Sequence, residues 1–495
     1  MELIVGKDVS KLTYTESDFN AFQHTLYQQL EQLKSVLNQP MFGDEPMQFG
    51  AELEMYLVDE QGNVSMSNQL LLEQLNDPQY QPELNQYNLE LNLLPVAQQG
   101  TPFTNIHNEL QQKTQVLEKL AQQHNINIIP IGILPTLKAH NLNADHMTNL
   151  GRYHCLAKHL FEQRGDDFKV NINGEEPISI SFKDICAEGA NTSFQVHMMT
   201  TPEKFNNVFN AAQLTAPLVT AVAANSPIFL GHRLWDETRI ALFKQSLDIR
   251  HRESHEWQQP TRVNFGFGWL RHSVMELFSE AVALYPPLLP VVMKKKSHGK
   301  NPVLDELSLH MGTLWPWHRP VYDHHNNAHM RIEFRAIPAG PTHLDMVANA
   351  AFAIGLANGL SDTVEAIMAV MPFRFAEYNF YRAAQYSLDA NILWPLTNKH
   401  HPEEVPIEQV ITKMLPVAEQ GLLDLGIEKT EIDKYLGVIK KRVTEKMNGA
   451  IWQKQTQKYL EQQYSKEQAS EILVNMYIKN CRTDKSITTW DQIWL

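Results

Sequence analysis

Two glutamates stand two positions apart in the segment FGAELEMYLV, residues 49–58, whose composition otherwise favours a β-strand. Side chains two positions apart on a strand point to the same face, so Glu52 and Glu54 would lie side by side. Leu53 and Met55 would face the opposite side, towards a core. Two like charges so placed repel each other unless something positive lies between them. The pair therefore predicts a cation on the polar face of this strand.

Three later segments show the same division into an apolar face and a face of chemically active groups. Their polar residues are Asn88, Glu90 and Asn92; Gln195 and His197; and Arg331, Glu333 and Arg335. Alternation in a single strand most simply indicates a solvated sheet face. The four segments contain no lysine, however, and repeat glutamate, histidine and arginine instead. If the strands are neighbours, their acids form one cluster that needs cations.

Such a cluster predicts bound divalent metal ions. Carboxylate oxygens together with one histidine nitrogen suit Mg²⁺ or Mn²⁺. The candidate ligands are Glu52, Glu54, Glu90, Glu333 and His197. Because Mg²⁺ usually shares its coordination shell with substrate phosphates, the cluster indicates ATP chemistry. Glu83, which precedes Glu90 by seven residues, is either a further ligand or an exposed loop acid.

Composition excludes several classes of protein. The chain has 495 residues, 43% of them hydrophobic, and a net charge of −14, which disfavours a nucleic-acid-binding protein. The longest apolar run, residues 211–231, is interrupted by polar residues and proline, so we expect no membrane span. The three cysteines are widely spaced, which predicts a protein without disulfides. Charged residues occur too early in the N-terminal segment for a secretory signal, so we expect a cytoplasmic protein.

The order of helix and strand patterns predicts an α+β fold with a mainly antiparallel sheet. Apolar residues from Phe19 to Leu37 recur at helical spacing, and Thr15 with Asp18 forms the pattern of a capping box. Thr201 and Pro202 predict the start of a long apolar helix. We expect an N-terminal helix in residues 1–45, a catalytic domain in 46–396 and a helical C-terminal region in 407–495.

Two other segments carry possible ligand-binding groups. The basic run KKKSHGK, residues 294–300, lacks the P-loop pattern, so a solvated loop is favoured over a polyphosphate site. The histidine-rich stretch in residues 318–329 fits no zinc-binding spacing well.

Taken together, these segments resemble the glutamate–cysteine ligase type 2, or carboxylate–amine ligase, family, whose catalytic domain is related to glutamine synthetase. The resemblance lies in GAELEMYLV, NLELNLLP, NTSFQVHM, the HRP motif and MRIEFRAIPAGPTHLDMVANAAFAIGLANGL, with weaker matches in NSPIFLG and NFYRAAQYSLDANILWP. These pieces fall between about residues 46 and 396. Their order and spacing are more specific than any one of them.

The resemblance implies a curved antiparallel sheet whose concave face is the active site, flanked by helices. It implies Mg²⁺ on the four glutamates, His197 near the nucleotide phosphates, and Arg319 and Arg335 as catalytic contacts to phosphate or to a carboxylate. ATP and substrate contacts are assigned, on the same ground, to Glu83, Gln195, Arg152, Tyr153 and, as a looser match, Arg239. Relatives often have a histidine at the position of Gln195.

The function that the resemblance implies is ATP-dependent joining of a carboxylate, activated as an acyl phosphate, to an amine. Glutamate and cysteine are the expected substrates, which would place the protein in glutathione biosynthesis. A ligase for another acid or amine, or a non-catalytic protein that binds a nucleotide or a partner, remains an alternative. Only small-molecule partners are expected, with a homo-oligomer possible.

Overall fold

A computed structural model describes residues 11, 13–250, 257–293, 300–395 and 401–495. Its helices are α1 (Glu16–Leu37), α2 (Asn68–Leu75), α3 (Pro102–Gln122), α4 (Gly151–Arg164), α5 (Phe205–Ala223), α6 (Thr238–Ser246), α7 (Met275–Leu284), α8 (Asp305–Met311), α9 (His343–Ser361), α10 (Val364–Met368), α11 (Phe373–Tyr386), α12 (Ile407–Asp424), α13 (Lys429–Glu445), α14 (Gly449–Leu460) and α15 (Lys466–Cys481). Most of the basic run at residues 294–300 lies outside the described residues.

The strands are β1 (Gln48–Val58), β2 (Tyr80–Pro82), β3 (Asn88–Asn92), β4 (Val96–Ala97), β5 (Asn127–Ile129), β6 (Phe168–Ile172), β7 (Ile178–Phe182), β8 (Phe194–Met199), β9 (Ile228–Phe229), β10 (His232–Arg233), β11 (Val263–Asn264), β12 (Trp315–Pro316), β13 (His318–Asp323), β14 (His329–Phe334), β15 (Asn391–Trp394) and β16 (Glu403–Pro406). The α+β fold with a curved antiparallel sheet is thereby confirmed.

The main sheet brings the four polar strand faces together. Its strand order is β13-β14-β8-β1-β3-β2, with β4 and β5 also paired to β1, and every pairing is antiparallel. The order is not the order of the chain, since β8 and β14 come from segments far downstream of β1. The strands predicted from alternation are therefore neighbours, as the cluster hypothesis requires.

The apolar faces of the same strands form the core. Leu53 on β1, Leu91 on β3, Val196 on β8 and Ile332 on β14 are all buried in one hydrophobic cluster. The apolar helices α5 and α9 pack in the same cluster. One face of the sheet is thus anchored by hydrophobic burial, which leaves the opposite face free to hold charged groups.

Two helix starts show how well local signals predicted boundaries. The capping box of Thr15 and Asp18 is present at the start of α1, as predicted. Helix α5 begins at Phe205 rather than directly after Thr201 and Pro202. A separate turn, closed by the bond from Lys204 N to Thr201 O (3.1 Å), precedes it, so the predicted start was several residues too early.

Helix α9 is long and apolar enough to cross a membrane, but 83% of its most apolar window is buried inside the protein. It lies at the centre of the helical layer and is surrounded by protein. This burial is typical of a core helix.

The C-terminal helices are attached to the core by buried polar contacts. Arg442 on α13 donates to Asp345 Oδ1 on α9 (2.7 Å), and both residues are buried. Tyr477 on α15 donates to Pro130 O (2.9 Å) and accepts from Asn225 Nδ2 (2.8 Å). The division into residues 1–45, 46–396 and 407–495 stays a prediction.

Replacing Gly421 by alanine should test how tightly α12 packs on α9. An added Cβ at this position would lie 2.1 Å from Gly355 O and 2.5 Å from Gly359 N, both backbone atoms of α9. We expect Gly421→Ala to lower the free energy of unfolding by about 1–3 kcal/mol, measured by chemical denaturation. Gly437→Ala on α13 is the matched control, since nothing lies within 4 Å of its Cβ position. Equal stability of the two variants would contradict this packing.

Candidate active site

Backbone register places the acids of the four strands next to each other. Glu54 pairs with Glu90 across β1 and β3, and Glu52 pairs with Gln195 across β1 and β8. Glu333 pairs with His197 across β14 and β8. Because paired residues on adjacent strands share a face, this pairing gathers the predicted ligands on one side of the sheet.

The side chains form two groups in which the possible ligand atoms lie within 4.8 Å of one another. The first contains Glu52, His197 and Glu333, and the second contains Glu54, Glu83 and Glu90. Glu83 therefore joins the cluster and is no exposed loop acid. Each group has the size of one metal coordination shell.

In the first group, His197 lies between Glu52 and Arg331 and contacts both. His197 Nε2 lies 3.0 Å from Glu52 Oε1, and Arg331 Nε donates to His197 Nδ1 (3.3 Å). A neutral His197 then carries its proton on Nε2, so it would ligate a metal through this atom only after that proton is lost or moved. Burial acts to raise the pKa of Glu52, but the contact with His197 and the charge of Arg331 outweigh it, and the pKa is lowered.

Glu333 is held ionised between two arginines. Arg319 donates to it through Nε and, at 3.0 Å, through Nη2, while Arg335 Nη1 donates to Oε1 (2.7 Å). Burial opposes ionisation, but the charges of Arg319 and Arg335 hold the pKa of Glu333 well below its usual range. The remaining nitrogen of Arg319 donates to Met311 O (3.4 Å), so all three nitrogens of this side chain are engaged by the protein.

The second group consists of three closely spaced, partly buried carboxyl groups. Burial and the charges of Glu52 and Glu54 raise the pKa of Glu90 to about 8. Burial and the charge of Glu90 raise the pKa of Glu83 well above its usual value, and the two carboxyl groups are hydrogen-bonded to each other. The pKa of Glu54 is raised by burial although Arg335 opposes the shift. These carboxyl groups cannot all ionise together without a cation.

Gln195 connects the two groups. Its Nε2 donates to Glu54 Oε1 (2.8 Å), and its Oε1 accepts a hydrogen bond from Arg335. Glu54 also accepts from Ser193 N (2.7 Å). The side-chain amide of Gln195 therefore orients Glu54 and Arg335.

The other predicted contacts lie at the edge of the cluster. Tyr153 on α4 donates to Pro82 O (3.0 Å) and accepts from Arg152 Nη2 (2.8 Å). Burial and the charge of Glu83 raise the pKa of Tyr153, which places its hydroxyl near the second group. Arg239 is buried, with Nε donating to Glu237 Oε1 (3.0 Å) and Nη2 to Ala336 O (2.7 Å). Two of the nitrogens of Arg239 are thus occupied by contacts within the protein.

Two residues off the strands, Glu188 and Asn191, also border the site. Glu188, on a short 3₁₀ turn before β8, lines a cavity beside Glu54 together with Asn88 and Asn191. Burial and the charge of Glu54 raise the pKa of Glu188 to about 8. Asn88 had appeared only as one polar residue of its strand. A turn residue has no periodic signal, so only the structure reveals Glu188.

A further group of possible ligands lies at the end of β13, where Asp323, His324 and His325 approach each other. Asp323 is already bonded to His325 Nδ1 (2.6 Å) and Arg331 Nη1 (3.2 Å). This pairing accounts for its charge without a metal, in keeping with the poor match to a zinc spacing.

The donor sets of the two acidic groups fit hard divalent cations. They offer carboxylate oxygens at metal-sharing distance, and burial raises the pKa values of three of the acids, with neighbouring carboxylates adding to the shift at Glu83 and Glu90. Mg²⁺ or Mn²⁺ would supply that charge. Glu52 and Glu333 would hold an ion in the first group, and Glu54, Glu83 and Glu90 would hold one in the second.

The raised pKa values predict how the metal-free protein responds to pH. For an acid whose pKa is higher in the folded state, stability is fully present below the unfolded pKa and is lost as pH rises through the folded pKa. For Glu90 and Glu188, this places the loss between about pH 5 and pH 8. Each group accounts for at most about 1.4 kcal/mol per pH unit.

Chemical denaturation in a chelator, from pH 6.5 to pH 8.5, checks this expectation. Buried histidines with lowered pKa, such as His318, act at lower pH and do not interfere in this window. Glu90→Gln should show a shallower decline than the wild type, and Mg²⁺ should stabilise the wild type more at pH 8.5 than at pH 6.5. Parallel curves for wild type and variant would show that Glu90 titrates normally.

Comparison with known proteins places this geometry in a family. The family model described as glutamate–cysteine ligase family 2 matches residues 48–475. The chain belongs to glutamate–cysteine ligase family 2. The match contains all four strands of the site and extends through most of the C-terminal helices. It confirms the resemblance carried by the four strand motifs.

A solved structure of low sequence identity shows the same fold. A glutamate–cysteine ligase from Francisella tularensis, in complex with AMP, has 11% identity and a TM-score of 0.55, with 89% of this chain and 90% of that chain covered. A bifunctional glutathione synthetase from Pasteurella multocida has 12% identity and a TM-score of 0.48, and this chain covers 55% of its length. The second similarity is too distant to support an argument. No curated protein sequence matches the chain.

As a member of glutamate–cysteine ligase family 2, the protein is an ATP-dependent carboxylate–amine ligase. The two acidic groups and their arginines lie within the matched region.

Proposed function

We propose that the protein joins the side-chain carboxylate of glutamate to the amine of cysteine, with ATP converted to ADP and phosphate. The family match supports this choice of substrates, and such a reaction would serve glutathione biosynthesis. The single observation that carries the mechanism is that two acidic groups lie side by side on the sheet, with Arg319 and Arg335 both bound to Glu333 in the first group.

A carboxylate is a poor electrophile, so it must be activated before an amine can attack it. In the proposed reaction a glutamate carboxylate oxygen attacks the γ-phosphorus of ATP, the bond to ADP breaks, and an acyl phosphate forms. The amine nitrogen then attacks the acyl carbon, its proton is lost, and inorganic phosphate leaves. Each step moves negative charge between phosphate and carboxylate oxygens, so fixed positive charge is the main requirement.

The two acidic groups satisfy this requirement by holding metal ions. Bound Mg²⁺ would neutralise phosphate charge and align the phosphates with the attacking carboxylate. Glu52, Glu54, Glu83, Glu90 and Glu333 are proposed to hold these ions, with His197 orienting Glu52 or joining as a ligand. Because all of these ligands except Glu83 come from strands whose apolar faces are buried, their positions are fixed before substrate binds.

We propose different roles for Arg335 and Arg319: Arg335 contacts substrate, and Arg319 holds Glu333. Arg335 uses Nη1 on Glu333 and Gln195, while its Nε has no hydrogen-bond partner among the described residues. Its guanidinium is therefore available to a phosphoryl group or a substrate carboxylate. Arg319 has every nitrogen engaged, so we assign it to holding Glu333 in place.

An acceptor screen tests the proposed function. Purified protein with ATP, Mg²⁺ and L-glutamate should release ADP when cysteine is added, and the product should be the γ-linked dipeptide by mass spectrometry. ADP release with a different amine alone would retain the ligase and replace cysteine as the acceptor. ATP binding with no release for any amine would favour a non-catalytic nucleotide-binding protein.

A further inference from the structure

The hairpin formed by β13 and β14 carries a buried arginine beside the first acidic group, Glu52, His197 and Glu333. Arg331 lies two positions before Glu333 on β14, so both side chains are on the face of the sheet that holds the acids. Its Nε donates to His197 Nδ1 (3.3 Å), and His197 Nε2 lies 3.0 Å from Glu52 Oε1. The guanidinium of Arg331 is therefore separated from Glu52 by a single side chain.

Two of the three nitrogens of Arg331 are held by the protein, and the third is left for a ligand. Besides the contact of Nε with His197, Nη1 donates to Asp323 Oδ2 (3.2 Å). Nη2 makes no hydrogen bond within the described part of the chain. Arg319 differs in this respect, since all of its nitrogens are engaged. Arg331 is thus a fixed positive charge with one free donor group next to the first acidic group.

Asp323, which holds Arg331, is itself fixed in place. Its Oδ1 accepts a hydrogen bond from His325 N (3.0 Å) and lies 2.6 Å from His325 Nδ1. Asn301 Nδ2 donates to His324 O (3.2 Å), which holds the turn of the hairpin. Burial opposes ionisation of Asp323, but the hydrogen bonds of His325 and the charge of Arg331 keep its pKa below the usual range. A fixed, ionised carboxylate of this kind can orient a guanidinium.

The place of Arg331 along β14 indicates which part of a nucleotide it meets. Arg335, two positions after Glu333, contacts Gln195, which in turn donates to Glu54 of the second acidic group. Arg331 lies on the other side of Glu333, four residues of extended chain or about 13 Å from Arg335. Because Arg335 is assigned to the transferred phosphoryl group or the reacting carboxylate, the phosphates that remain on ADP would lie towards Arg331.

We propose that Asp323 is a positioning residue for the nucleotide: it holds Arg331 beside the first acidic group, where Arg331 Nη2 contacts the phosphates that remain on ADP. Asp323 itself touches no substrate. The contact is made equally in bound ATP and bound ADP, so it acts mainly on KM for ATP and little on kcat. This inference rests on the proposed ligase function, because it assigns two further residues to the same reaction.

Calorimetric titration with ADP and Mg²⁺ measures this contact without any turnover. Asp323→Asn should weaken ADP binding about tenfold, although removing a negative charge near phosphates would by itself strengthen binding. The sign of the change therefore separates positioning from a simple charge effect. Asp323→Glu, which keeps the charge, should recover part of the affinity. Asp362→Asn, at an exposed position at the end of α9, is the control and should leave ADP affinity unchanged.

A double-mutant cycle shows whether Asp323 acts through Arg331. Arg331→Gln should weaken ADP binding at least about tenfold. Adding Asp323→Asn to this variant should cause no further loss, because no guanidinium is left to position. In steady-state kinetics, Asp323→Asn should raise KM for ATP about tenfold and change kcat less than about twofold. A general loss of folded protein would not produce this separation.

Three results would overturn the inference: Asp323→Asn that binds ADP as tightly as the wild type or more tightly, a double variant in which Asp323→Asn causes the same loss as it does alone, or a loss confined to kcat. Arg331→Gln with wild-type ADP affinity would also overturn it, whatever the stability of the Asp323 variants. The ligase function fails on a different observation, namely the absence of ADP release from the wild type with every acid and amine. The two failures are thus read from separate experiments.

Discussion

Replacing Glu52 and Glu54 together by glutamine should lower the rate of ADP release at least about a thousandfold, equivalent to about 4 kcal/mol of transition-state stabilisation. The two residues belong to different acidic groups, so the double variant removes one ligand charge from each proposed metal site. The loss should appear in kcat and should not be restored by raising the concentration of glutamate or amine.

The fold of this variant should be unaffected, which distinguishes a catalytic from a structural effect. Glutamine keeps the side-chain length, and removing the Glu54 charge relieves a buried carboxyl group whose pKa is raised by burial. Because Glu52→Gln weakens a favourable contact with His197, the two effects oppose each other, and the melting temperature in a chelator should stay close to that of the wild type. Glu60→Gln with Glu404→Gln, at two exposed positions, is the matched control and should keep full activity. Normal activity in the Glu52 and Glu54 variant would remove the metal assignment.

Arg335→Lys should lower kcat by about a hundredfold to a thousandfold, with a much smaller change in ATP affinity. Lysine keeps the charge, but its single nitrogen lacks the planar fork by which the guanidinium can reach Glu333, Gln195 and a substrate oxygen from different nitrogens. Steady-state kinetics with ATP and glutamate varied in turn measures the separation of kcat from KM.

Arg319→Lys is the informative comparison, because both arginines bind Glu333. All nitrogens of Arg319 are engaged by the protein. Its replacement should therefore lower kcat less than replacement of Arg335 does, and should lower the free energy of unfolding more. Arg374→Lys, on the exposed surface of α11, controls for the substitution itself and should have no effect. Equal losses of kcat at Arg319 and Arg335 would contradict the division of roles.

Much of the site was predictable because it lies on strands. The alternation of Glu52 and Glu54 against Leu53 and Met55 fixes which side chains share a face, and this depends only on strand geometry. The same rule applied to the segments around Glu90, His197 and Glu333. What the alternation could not supply was that these strands are neighbours, since β1 and β14 are separated by most of the catalytic region. The resemblance to a family supplied that information.

Residues off the strands were harder to predict for a physical reason. Glu188 lies on a single turn, where neither period two nor period 3.6 applies. The partners of Arg239 were equally hidden, because its contacts are carbonyl oxygens near residue 336 and a neighbouring acid. Sequence patterns report periodic burial, whereas these contacts depend on how distant turns meet.

The most direct test of the central claim is the fate of the carboxylate oxygen during the reaction. Glutamate labelled with ¹⁸O in its side-chain carboxylate is incubated with the protein, ATP, Mg²⁺ and the amine that supports ADP release, and the products are analysed by mass spectrometry. Activation as an acyl phosphate predicts one ¹⁸O atom in each inorganic phosphate released. Label in AMP, or phosphate without label, would contradict phosphoryl transfer to the carboxylate at this site.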